Sequence, residues 1–236
     1  TRIKNHFLIT DFTQVNESLL NEAKSAGFTT MKVKVGRDWK AETEWLNKIL
    51  RSYPFTCRLD FNSKGDLASL ERMFSHLVPG LKQKIEFVED PFPWDYDTWM
   101  DAAKIARLAL DQEYVNINWR ELTKELPFRV IVIKPARQDL EEVTRFALLK
   151  NLKMVITSSM DHPVGVVHAV RVAAELKKQH STQVLECGCL TMKSYKPNQF
   201  STQMIVQGPY LSQVKGTGIG FDQVLDDISW IPVEFI

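Results

Sequence analysis

The chain has 236 residues, 44% of them apolar and 25% charged, with 30 Lys and Arg against 29 Asp and Glu. That composition is globular rather than disordered. A net charge of +1 offers no bulk attraction to nucleic acid or to an anionic membrane. No apolar run approaches the roughly 18 residues of a membrane-spanning helix, and no signal-peptide pattern opens the chain. The three cysteines (Cys57, Cys187, Cys189) cannot all pair with one another, so reduced thiols and a cytoplasmic location are expected. The first residue is Thr1, which fits either removal of an initiator Met or a missing N-terminal portion.

Taken in order, the chain alternates short β-branched or aromatic runs with longer amphipathic stretches. A strand is expected at 6–10, then a helix at 17–25 that stops near Gly27. A strand at 30–35 precedes a helix at 39–50, with Trp45, Leu46, Ile49 and Leu50 on one side. A strand at 56–61 leads to a helix at 67–77 capped by Asp66. Strands at 85–88 and 108–110 flank a helix at 98–106. Residues 112–127 carry at most a short helix around 119–124. A strand at 130–133 precedes a helix at 140–150 capped by Asp139. Strands at 154–157 and 183–186 flank the last long helix, at 164–178. From about Lys193 the rhythm breaks into loop chemistry and a short finish at 230–236.

Strand–helix alternation implies βα units and a parallel sheet. Eight strands at about thirty residues per unit suit a closed (β/α)8, TIM-like barrel in one domain, 1–236, with a C-terminal tail at about 193–236. A doubly wound open sheet is the alternative.

The strand ends carry the chemistry. They read Lys32-Val-Lys34, Arg58-Leu-Asp60-Phe-Asn62, Glu89-Asp90-Pro91, Asp111-Gln112-Glu113, Lys134-Pro135 and Ser158-Ser159. Successive separations from Lys34 through Asp60, Glu89, Asp111 and Lys134 to Ser158 are 26, 29, 22, 23 and 24 residues, each about one βα unit. In a barrel these residues ring one mouth. Three converging carboxylates repel, so a cation is expected among them. All-oxygen ligation favours Mg²⁺ over zinc. A substrate carboxylate on that ion has a more acidic α-proton. The Lys-x-Lys spacing puts Lys32 and Lys34 on one strand face, where each disfavours the other's charge. Only a neutral lysine can take the proton.

Lys-x-Lys, Asp-x-Asn, Glu-Asp-Pro, Asp and Ile-Lys-Pro together resemble the enolase superfamily, in its muconate-lactonizing-enzyme-like group. Within that group the resemblance is greatest to the o-succinylbenzoate synthases. It covers residues 6–190. Supporting segments are 58–62, 132–135 and 156–160, with Gly165. The resemblance implies Lys34 as general base and Asp60, Glu89 and Asp111 as Mg²⁺ ligands. It implies Lys134 as a cation that stabilises the enediolate, a Lys-and-Mg²⁺ pairing already known from this superfamily. The implied reaction is syn elimination of water from a small cyclohexadiene carboxylate, giving 2-succinylbenzoate for menaquinone biosynthesis. Lys32 and Arg58 would hold the carboxylate end. Ser158, Ser159 and the backbone at Gly188 would lie near the succinyl tail.

The chain departs from the family pattern in places. Asp111-Gln-Glu113 replaces Asp-Glu, which makes Glu113 a fallback ligand. The superfamily's α+β capping domain is expected to be absent from this chain. The same lysine pair could instead serve an N-acylamino acid racemase or a dipeptide epimerase. The lack of Asp-x-Asp at 186–189 weighs against the epimerase. A catalytically silent binding barrel is the rival from another class. The Gly216-Thr-Gly-Ile-Gly220 run is not a dinucleotide fingerprint, and Cys187-Gly-Cys189 has no second pair to share a metal.

Overall fold

The computed structural model describes residues 2–118, 122, 125–192 and 195–231. Ten strands are described: β1 (Arg2–Lys4), β2 (Phe7–Ile9), β3 (Thr30–Lys34), β4 (Thr56–Asp60), β5 (Ile85–Glu89), β6 (Leu108–Leu110), β7 (Phe128–Ile133), β8 (Lys153–Ile156), β9 (Val206–Gln207) and β10 (Tyr210–Ser212). The helices are α1 (Glu17–Ser25), α2 (Trp39–Ser52), α3 (Leu67–His76), α4 (Pro79–Lys82), α5 (Tyr96–Ala102), α6 (Leu140–Leu149), α7 (Pro163–Gln179) and α8 (Asp222–Asp226). Asp66 and Asp139 cap α3 and α6 as expected, Asp66 through a reciprocal pair with Ser69.

Strands β2 to β8 form one parallel sheet in sequential order. Alternation along each strand sorts the side chains into two layers. Met31, Val33, Leu59, Val88, Ile131 and Ile133 join the outer core under the helices. Phe87, Ala109, Val130, Val132 and Val155 pack with Leu185 as a separate inner core. The sheet therefore curls around a filled interior.

The expected eighth strand at 183–186 is not one. Residues 183–189 close the ring by isolated parallel bridges, Met154 to Val184, Thr157 to Gly188 and Asn5 to Cys187. Side chains supply part of the hydrogen bonding of this segment's backbone. Lys177 Nζ donates to Val184 O at 2.5 Å, and Arg58 Nη1 donates to Glu186 O at 2.7 Å. Cys189 N donates to the side chain of buried Asn5 at 2.8 Å.

The tail has more structure than its composition suggests. Strand β10 pairs antiparallel with β1 and β9, and Phe221 and Val224 pack against Val167 of α7. Most of the expected 119–124 helix and residues 232–236 of the finish lie outside the described residues. Residues 112–116 form a short 3-10 turn.

Candidate active site

Parallel pairing places the site. Lys34 is in register with Asp60, and Asp60 with Glu89. Asp111 follows β6 directly, Lys134 follows β7, and Ser158 and Ser159 lie just past β8. All are at the C-terminal ends of the strands. There Lys32, Lys34, Asp60, Asp111, Lys134, Ser158, Ser159 and Gly188 line one cavity of about 160 Å³. Eight of the ten expected site residues are thus brought together.

The two lysines assigned to the chemistry, on the second and sixth staves, face each other across the ring. Their surroundings differ. Lys134 Nζ lies 2.7 Å from each oxygen of Asp111. Among the described residues, Lys34 Nζ has only an amide partner, Asn62 Oδ1 at 3.3 Å. Lys32 is the buried member. Its ammonium lies 2.6 Å from Glu89 and 2.9 Å from Asp60. Burial works against that charge, but Glu89, Asp60 and Asp111 outweigh it and hold the ammonium above the usual lysine range.

The remaining acid charge is in surplus. Burial pushes the Glu89 carboxyl up; the Lys32 ammonium pulls it back, while Asp60 and Asp111 push it further. Asp90, with a left-handed φ of 38°, is pushed up to about 7 by burial and then by Asp111. Its carboxylate accepts the backbone N–H groups of Asp111 at 2.9 Å and Gln112 at 2.6 Å, which fixes the loop bearing Asp111.

Three of the residues singled out from the sequence do not line the cavity. Arg58 does not line the cavity. It sits one layer below, where Nε binds Glu86 at 2.6 Å and its guanidinium stacks on Phe87. Glu89 is also absent from the lining and lies beneath Lys32. Glu113 is no spare ligand, because it braces a loop by accepting from Ser63, Trp94 N and Asn116. As placed, no set of three acidic, His or Cys side chains among the described residues is close enough to share one ion. The donor chemistry still fits a hard divalent cation. Asp60, Glu89 and Asp111 crowd one another, and the ammonium groups of Lys32 and Lys134 already sit against them.

Four residues of the cavity or its frame were given no role from the sequence. Asn62, whose left-handed φ of 48° suits asparagine, links Asp60 to Lys34. Thr191 pairs with Ser158 at 2.7 Å. Asp90 braces the loop above. His6 lines the cavity, and its Nδ1 lies 2.9 Å from Arg58 Nη1. Burial, then Arg58 and Lys32, hold the His6 imidazole well below the usual histidine range.

That shift has a sign. The unfolded chain takes up a proton at His6 below roughly pH 6.5, and the native chain resists it. The stability that neutral His6 contributes is therefore complete above that pH and lost as pH falls. His6→Gln should gain on wild type by up to about 1.4 kcal/mol per pH unit below 6.5. Urea midpoints from pH 7 to 5 check this, and a pH-independent difference would contradict it.

The chain is similar to known proteins both in sequence and in fold. No protein-family model matches the chain. It is 43% identical over 229 residues to the o-succinylbenzoate synthase of Bdellovibrio bacteriovorus, across 97% of this chain and 69% of that protein. The chain belongs to the o-succinylbenzoate synthase family. The corresponding synthase of Klebsiella pneumoniae is 28% identical over 172 residues, 66% of this chain and 51% of that one. In fold, the chain matches a magnesium complex of an enolase-superfamily member from Roseovarius nubinhibens. The TM-score is 0.73 at 16% identity, over 93% of this chain and 60% of that one. The chain thus spans about half to two thirds of the length of these relatives, and the enolase-superfamily barrel is its fold.

Proposed function

We propose that this chain carries the dehydration site of an o-succinylbenzoate synthase, converting a cyclohexadiene carboxylate to 2-succinylbenzoate as a carbon–oxygen lyase. Family membership at 43% identity supports the reaction. The observation that carries the assignment of roles is the asymmetry of the two facing lysines. Lys134 has a carboxylate counter-ion, whereas among the described residues Lys34 has only the Asn62 amide oxygen. One base and one fixed cation suit an elimination on one face. A racemase needs two exchangeable bases.

Asp60, Glu89 and Asp111 would hold Mg²⁺, which supplies Lewis acidity to the substrate carboxylate. Lys34 Nζ takes the α-proton, and the electron pair passes into an enolate. Lys134, across the ring, faces that spread of negative charge and stabilises it electrostatically. Return of the electrons breaks the bond to the β-hydroxyl. The Lys34 ammonium gives its proton to the departing hydroxide, so water leaves and the base is restored. Aromatisation makes the step strongly downhill. Asn62 orients Lys34. Lys32 stays a cation and offsets the acid surplus beneath the cavity.

The substrate is a small carboxylate, and the site is a cytoplasmic one in this reading. Incubating the full-length protein with the cyclohexadiene substrate and Mg²⁺ should raise the ultraviolet absorbance of the aromatic product. Chelation should stop the rise. No Mg²⁺-dependent product from a folded protein would overturn the proposal.

A further inference from the structure

The cavity has a second polar side that the chemistry above does not use. The acids and Lys134 come from the third to sixth staves. His6, Thr157, Ser158, Gly188 and Thr191 lie on the seventh, eighth and first. Of these, His6 has its proton placed by its neighbours. A guanidinium can only donate, so the 2.9 Å contact with Arg58 Nη1 makes His6 Nδ1 the acceptor. The ring proton is then on Nε2. Arg58 is itself immobilised, 1% exposed and bound to Glu86 and Glu186 O. Nε2–H has no protein partner among the described residues, although His6 is only 6% exposed and lines the cavity.

The ring is also held in place sterically. A Cβ at residue 188 would lie 2.8 Å from His6 Cε1 and 3.1 Å from Nε2, so only glycine there leaves the imidazole its position. A donor with a fixed tautomer and a fixed ring, on a residue that lines the cavity, suits an oxygen acceptor from the ligand.

We propose that His6 is a specificity-determining residue whose Nε2–H donates to an oxygen of the substrate's side chain, on the side of the cavity remote from Asp111. This rests on the dehydration reading and adds to it the feature of the substrate that is selected. A carbonyl and a carboxylate oxygen share the needed chemistry. Ser158 and Thr191 share one hydrogen bond in which either hydroxyl can donate, and their remaining hydrogen is free to rotate, whereas the His6 hydrogen is fixed on Nε2. Arg58 acts through His6 as a positioning residue. A site built around such a donor discriminates against analogues lacking the acceptor, because the donor would be left buried and unpaired.

The test compares two ligands by calorimetry on the full-length protein with Mg²⁺: 2-succinylbenzoate, and 2-pentylbenzoate, whose tail has no oxygen. Wild type should prefer the first by at least about tenfold. His6→Phe should lose that preference. His6→Asn, which keeps an acceptor for Arg58 but cannot reach the cavity, should lose it too and guards against a Phe variant that fails to fold. His6→Gln, with an N–H near the place of Nε2, should keep most of it. A merely structural role would weaken both ligands together and leave their ratio unchanged, which overturns the inference alone. Wild type that binds neither ligand overturns the dehydration reading, and this inference with it.

Discussion

Lys34→Ala should abolish exchange of the substrate α-proton with solvent deuterium, a loss of about 10²–10⁴-fold if Lys34 acts as the general base. The fold should survive. Lys34 is at the end of β3 and only partly buried, and its ammonium makes one long hydrogen bond, to Asn62 at 3.3 Å. Lys32→Ala is the contrasting control. It would strip the cation that lies 2.6 Å from Glu89 and 2.9 Å from Asp60, leaving buried acids uncompensated. So loss at Lys34 should be catalytic and loss at Lys32 should also lower stability. Mass spectrometry of substrate recovered from ²H₂O reads the exchange, and thermal melts read the fold. A Lys34→Ala protein that exchanges at the wild-type rate would remove Lys34 from the chemistry.

Glu86→Ala should destabilise the protein by about 3 kcal/mol, because removing one partner of a buried ion pair strands the other. Arg58 is 1% exposed and its Nη2 already has no hydrogen-bond partner. Its Nε contact with Glu86, at 2.6 Å, is its one ion pair among the described residues. Glu86 keeps 21% side-chain exposure, which sets the estimate at the low end of the usual 3–5 kcal/mol. For a domain of this size the melting temperature should fall by roughly 6–12 °C. Replacing both partners with apolar residues, as in Arg58→Met with Glu86→Leu, should recover much of the loss. An unchanged midpoint for Glu86→Ala would mean that Phe87, His6 and Glu186 O alone hold the guanidinium.

These two residues show where the sequence was legible. Lys34, Asp60, Asp111 and Lys134 could be found because a parallel barrel delivers one strand end per βα unit, and their spacing keeps that period. Seven strands were found for the same reason, as runs of apolar residues buried on both faces. The eighth stave was misread because its pairing is reduced to isolated bridges, and nothing local says that Arg58, from a distant strand, binds the Glu186 carbonyl. Arg58 shares strand phase with Asp60 and looked like a ligand-facing cation. Two residues along a strand is also one layer down, and the difference lies in depth rather than in pattern. His6 had no signal at all, since its role depends on which atom of Arg58 meets it. Asn62 had one: a residue tolerant of left-handed backbone directly after a strand-end acid. Glu113 was counted by residue type, whereas its geometry spends both oxygens on loop donors.

Asp60, Glu89 and Asp111 should together hold a single divalent ion. Titrating the metal-free protein with Mn²⁺, and counting free ion by electron paramagnetic resonance, measures this. One bound ion per chain is expected. Alanine at any one of the three acids should weaken it by no less than the roughly 10–100-fold that loss of a mere supporting partner brings. Failure to bind Mn²⁺, or binding that all three single variants leave intact, would contradict it.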